Sequence, residues 1–128
     1  MANIPDDLKY TAEHEWARVQ GNVVVVGVTD HAQISLGDVV YVELPKVGAK
    51  VEAGSSVGTI ESVKAVSELF SPVSGTVVKV NDTLTESPEQ VNDAPYGDGW
   101  LVEIELSDPK QVDGLLNAAA YAELLKNA

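Results

Sequence analysis

Lys64 stands alone between two β-favouring flanks, and this arrangement constrains the chain more than any other stretch. Upstream lies Val57-Gly58-Thr59-Ile60; downstream, Val66 and Leu69-Phe70 lead into Ser71-Pro72-Val73-Ser74-Gly75. Two apolar runs around a short segment of small and polar residues predict a hairpin over about 57–73, with Lys64 at or near its tip. A tip lysine keeps its charge in water and stays within reach of another protein. Residue chemistry alone leaves two readings open: an ordinary solvated lysine, or one held out for modification.

The rest of the chain fits a β scaffold. The run 23–28 is apolar, β-branched and broken only by Gly27; it is too short for a helix and predicts a buried strand. Before it, Tyr10, His14, Trp16 and Arg18 alternate with smaller or acidic residues across 8–19, which predicts an early strand. Residues 29–37 suit a short helix, with Thr29 as N-cap, Asp30 at the positive end and Gly37 past the last turn. Further strands are expected at 38–44, stopped by Pro45, at 75–80, ended by Asn81-Asp82, and at 100–106. Segment 83–99 is long for a structureless loop, so a helical turn is expected near Pro88-Glu89-Gln90. Ser107-Asp108-Pro109 opens a helical segment over about 108–126, one or two helices laid over the sheets. Gly37-Asp38-Val39-Val40-Tyr41-Val42 and Gly75-Thr76-Val77-Val78-Lys79-Val80 form a faint repeat that straddles Lys64.

At 128 residues the chain is expected to form one domain over 1–128. Twenty acidic residues against eight basic ones give a net charge of −12, which gives the chain no electrostatic reason to seek nucleic acid or an anionic membrane. With no cysteine, disulfides, thiolate metal sites and a cysteine nucleophile are excluded. His14 and His31 are the only histidines and form no spaced ligand pattern, so no metal site is expected. No phosphate loop, nucleophile elbow or triad occurs, and no catalytic residue is assigned. Trp16 and Trp100 are expected in packing. Residues 1–7 show neither a secretory nor a transit pattern, and no apolar run approaches the length of a membrane span; the expected location is cytoplasmic.

Glu61-Ser62-Val63-Lys64-Ala65-Val66-Ser67 resembles the lipoyl-lysine site of the glycine cleavage system H protein family. Biotin carriers set their lysine between two methionines; the only methionine here is Met1, so lipoate is the expected group. Other blocks resemble the same family in the same order. They are Tyr10 with His14-Glu15-Trp16, then Gly27-Val28-Thr29-Asp30-His31-Ala32-Gln33, Leu36-Gly37-Asp38-Val39-Val40, Val42-Glu43-Leu44-Pro45 and Ser71-Pro72-Val73-Ser74-Gly75. Asn92-Asp93-Ala94-Pro95-Tyr96-Gly97-Asp98-Gly99-Trp100-Leu101 completes the series.

The resemblance implies a mainly β fold, a flattened barrel-sandwich hybrid of the lipoyl/biotinyl type with a short internal helix and C-terminal helices. It implies a monomeric carrier rather than an enzyme, with one lipoate joined covalently to Lys64. Lysine and lipoyl chain together would reach about 14 Å, the span of four extended residues. The implied cycle takes the aminomethyl group of glycine from glycine decarboxylase (P protein) and gives it to the tetrahydrofolate-dependent aminomethyltransferase (T protein). Dihydrolipoyl dehydrogenase (L protein) then reoxidises the arm, and a lipoate ligase or lipoyl/octanoyl transferase attaches it. A second implied role is relay of lipoate to other lipoyl domains.

Carried over by position, the family nominates Glu15, Glu68 and Glu13 for the cleft that shelters the loaded arm, where a carboxylate would hold a cationic amine. Glu68 is often aspartate in the family, and Glu13 replaces a smaller residue of some relatives. Glu61 and Gly48 are nominated for recognition by the attaching enzyme. On residue chemistry alone, Glu15, Glu68 and Glu61 read equally as surface acids and Gly48 as a turn glycine.

Overall fold

A computed structural model of the chain describes residues 3–127; Met1, Ala2 and Ala128, which the expected unit over 1–128 includes, lie outside them. Among the described residues, nine strands form two antiparallel sheets that do not close into a barrel. In chain order they are β1 (Lys9–Tyr10), β2 (Glu15–Gln20), β3 (Val23–Val28), β4 (Val39–Glu43), β5 (Lys50–Val51), β6 (Ser56–Ser62), β7 (Val66–Phe70), β8 (Gly75–Val80) and β9 (Val102–Leu106). The larger sheet has the order β1-β2-β3-β9-β8-β5, and the smaller one β4-β6-β7.

The valine run became β3, flanked by β2 and β9. Its side chains alternate between two cores. Val24 and Val26 join the main core with Val42, Ile60, Leu69 and Ile104, while Val25 joins a second core with Tyr10, Trp16 and Tyr121. A strand covered on both faces needs no polar side, which is why the run is unbroken.

Helix α1 (Asp30–Leu36) begins as expected: Thr29 Oγ1 accepts from the Ala32 N–H at 3.2 Å, and Gly37 closes it at φ 76°. The segment 83–99 holds two single-turn helices, α2 (Thr83–Glu86) and α3 (Gln90–Asp93). The second starts at the expected place. The first arises because Leu84 is buried in the main core, as Val91 is from the second. A 3-10 helix (Pro109–Gly114), capped by Asp108, precedes α4 (Ala118–Lys126). α4 lays Ala118 and Tyr121 on the second core. The two copies of the faint repeat became β4 and β8, one in each sheet.

One expectation needs correction. Residues 8–19 are not one strand but two, β1 and β2, paired back to back through a turn at Thr11–His14. His14 takes φ 69°, a conformation that L side chains rarely adopt, so the alternation that seemed continuous crosses a reversal.

Candidate functional site

Strands β6 and β7 form the hairpin, with Glu61 opposite Val66 and only Val63 and Lys64 between Ser62 and Ala65 at the tip. The tip is tightly tied. Ser62 N–H donates to the Ala65 carbonyl at 2.8 Å, Ser62 Oγ accepts from the N–H groups of Ala65 and Lys64, and Val63 N–H donates to the Asp38 carbonyl at 3.0 Å. Lys64 is exposed, and its stem passes over Gly37, where a Cβ would stand 3.4 Å from Lys64 Cε.

A cleft of roughly 410 Å³ opens beside the tip, between the hairpin, α1 and the turn that carries His14. Ala65 to Glu68 form one wall, His31 to Leu36 another, and Glu13, His14 and Glu15 the third; Val28, Leu36 and Ile60 supply apolar surface. Glu15 is only 2% exposed. Thr11 Oγ1 donates to its Oε1 at 2.6 Å and the Phe70 N–H donates to its Oε2 at 3.3 Å. Burial pushes its pKa up to about 7, against the pull of those two hydrogen bonds.

His14 is held from behind. Its Nδ1 lies 2.8 Å from the Tyr121 hydroxyl, which lies 2.8 Å from Thr29 Oγ1. Thr29 Oγ1 also accepts from the Ala32 N–H, so the Tyr121 hydroxyl joins His14 to the start of α1. Burial and the neighbouring His31, whose ring centroid is 4.7 Å away, push the His14 pKa down, with Glu13 opposing.

The nominated residues divide cleanly. Glu13, Glu15 and Glu68 share the cleft, and Lys64 stands at its edge next to Ala65. Glu15 is no surface acid, whereas Glu13 and Glu68 are exposed at the mouth. Glu61 is half-buried on β6 and does not line the cleft. Gly48 lies elsewhere, in the β4–β5 connection at φ 94°, donating its N–H to the Val77 carbonyl of the larger sheet at 2.7 Å. Thr29 and Tyr121 were not legible as site residues: Thr29 reads as a cap, and Tyr121 sits 107 residues from the histidine it holds. The one signal for Tyr121 is that it is the sole aromatic in an alanine- and leucine-rich helix. Among the described residues, no cluster of His, Cys, Asp or Glu is arranged to hold a metal ion, and no helix is long and apolar enough to cross a membrane.

A two-sheet scaffold that presents a lysine on a tied hairpin, beside an acid-floored cleft, is that of a carrier protein with a covalent arm. The family model for the glycine cleavage H-protein matches residues 8–128. The glycine cleavage system H protein of Myxococcus xanthus is 71% identical over 126 residues, covering 98% of each chain. That of Anaeromyxobacter sp. (strain K) is 60% identical over 118 residues, covering 92% of each. The crystal structure of a glycine cleavage system H protein from Mycobacterium marinum superposes with a TM-score of 0.89 at 42% identity, over 96% of this chain and 99% of that one. The chain belongs to the glycine cleavage H-protein family. It is a lipoyl carrier that serves the enzymes of the glycine cleavage system and is not itself a catalyst.

Proposed function

We propose that Lys64 is the residue that bears the lipoyl group and that the cleft beside it shelters the arm's cargo. The observation that supports this most directly is the placement of an exposed tip lysine at the edge of a cleft with a buried carboxyl in its floor. The residues suit the group: Val28, Leu36 and Ile60 offer apolar surface to a methylene chain, and Glu15 offers a carboxylate to a cationic end. Attached, the lipoyl group supplies a disulfide that accepts and gives up electrons and one-carbon cargo. For attachment, Lys64 Nζ loses a proton and attacks an activated lipoyl carboxyl; the leaving group departs, a second proton is lost, and a neutral amide remains. Glu15, ionised, then holds the cargo's amine by a charge-assisted hydrogen bond, with Glu68 and Glu13 adding negative field at the mouth.

The partners follow from the family's cycle: glycine decarboxylase loads the arm, the tetrahydrofolate-dependent aminomethyltransferase unloads it, and dihydrolipoyl dehydrogenase reoxidises it, all in the cytoplasm. A lipoate ligase or a lipoyl/octanoyl transferase attaches the group, reading Glu61 on the hairpin. For Gly48 the geometry favours a turn role, since its φ of 94° demands glycine and it lies away from the cleft.

The test is the intact mass of the protein after incubation with lipoate, ATP and a lipoate ligase, beside Lys64→Ala. One lipoyl increment on the wild type and none on the variant is expected; an increment on both would remove Lys64 from the reading.

A further inference from the structure

Four apolar side chains stand exposed around Lys64. Val63 is 68% exposed, Val66 65%, Val40 52% and Tyr41 48%. Strand register gathers them. Tyr41 lies opposite Glu61, and Glu61 opposite Val66, so the three make one row across the smaller sheet. Val40 adjoins Tyr41 at the register shift of β4, and the Val63–Asp38 hydrogen bond brings the tip against the start of that strand. Isolated exposed apolar residues need no explanation, but a cluster on one sheet face marks a surface that meets a partner.

The charges around the cluster carry one sign. Glu61 sits in the middle of the row, Asp38 precedes β4 and Glu43 ends it. Lys64 is the sole Lys or Arg in positions 19–45 and 51–78. The complement of this face is an apolar surface with a basic rim.

We propose that this face docks the enzyme that attaches the lipoyl group, with Tyr41 and Val66 as its anchors. The inference rests on the reading of Lys64 as the attachment residue, and its choice of partner rests on reach. An enzyme that forms the amide must bring its reacting atoms to Nζ itself, so it covers the residues that surround the lysine. Enzymes that act at the arm's far end work about 14 Å further out and need not touch this face.

The test compares lipoyl transfer by a lipoate ligase to the wild type, Tyr41→Ser, Val66→Ser and a control, Val19→Ser, altered at an exposed valine at the end of β2. Tyr41→Ser and Val66→Ser should each lower kcat/KM for the carrier by about tenfold, as loss of an interface anchor does, with Val19→Ser unchanged. Acetylation of Lys64 by a small active ester should proceed at the wild-type rate in every variant, showing that the tip is intact. Once lipoylated by prolonged incubation, Tyr41→Ser, which lies outside the cleft, should be reduced by dihydrolipoyl dehydrogenase and NADH as fast as the wild type. Unchanged lipoylation of Tyr41→Ser and Val66→Ser overturns the proposal. So does a matching loss for Tyr41→Ser in the dehydrogenase reaction, because the face would then serve partners generally. Lipoylation of Lys64→Ala at the wild-type rate would instead sink the attachment reading beneath it.

Discussion

Glu15 ionises near 4.5 in an unfolded chain and near 7 in the cleft. A carboxyl whose pKa rises on folding leaves native stability whole below about 4.5 and erodes it as pH climbs toward 7, because the unfolded state ionises first. The erosion is on the order of 3 kcal/mol. We expect the arm-free protein to lose more stability between pH 5 and pH 8 than Glu15→Gln does, read from denaturant midpoints at both values. Parallel pH profiles would show that Glu15 titrates as in the unfolded chain. The same carboxyl explains why sheltering should strengthen above pH 7, where it is charged and the amine cargo is still cationic. Position 15 was legible as a candidate from its place between His14 and Trp16. Its burial was not, because it depends on the reversal at His14, where a non-glycine residue is held at φ 69° by bonds from distant elements.

Among the elements, α4 does more for the cleft than its position in the sequence suggests. Tyr121 stacks on Tyr10 with centroids 4.7 Å apart and ties both Thr29 and His14 through its hydroxyl. Tyr121→Phe keeps the ring but removes the buried hydroxyl that bonds both Thr29 and His14, a cost of about 1–2 kcal/mol. We expect that loss in chemical denaturation, together with a change in the His14 ring-nitrogen shifts by NMR as Nδ1 loses its hydrogen-bond partner. Shifts unchanged from the wild type would mean that the Tyr121 hydroxyl does not hold the His14 ring. Strand β8 has a different constraint: a Cβ on Gly75 would collide with the Glu105 backbone carbonyl across the β8–β9 pair. Gly75→Ala should therefore cost at least about 3 kcal/mol, seen as a lowered unfolding midpoint. The individual strands were readable because β-branched runs and Gly or Pro stops are local signals. Which strands pair was not readable, since β3 meets β9 across 73 intervening residues and nothing near Val23–Val28 records that partner.

At the scale of the whole molecule, a net charge of −12 surrounds one hairpin that has Lys64 as its only basic group. Encounter with basic partner surfaces should slow as salt screens this field beyond about 8 Å at physiological strength. Raising ionic strength should thus lower the second-order rate of lipoyl transfer, measured by mass spectrometry, while saturated turnover changes little. The tied tip has a further consequence. With Ser62, Val63, Lys64 and Ala65 all donating their N–H groups, the hairpin is a fixed post, so an arm borne on Lys64, as proposed, would alone hold the freedom to search. An arm of about 14 Å swinging from a fixed point confines its end to a volume in which one molecule amounts to an effective concentration on the order of 0.3 M. A cleft with only millimolar intrinsic affinity for the cargo would then be occupied nearly all the time. On the proposed reading of Lys64 and its cleft, such a shelter would protect while binding weakly, and each enzyme could still draw the arm out.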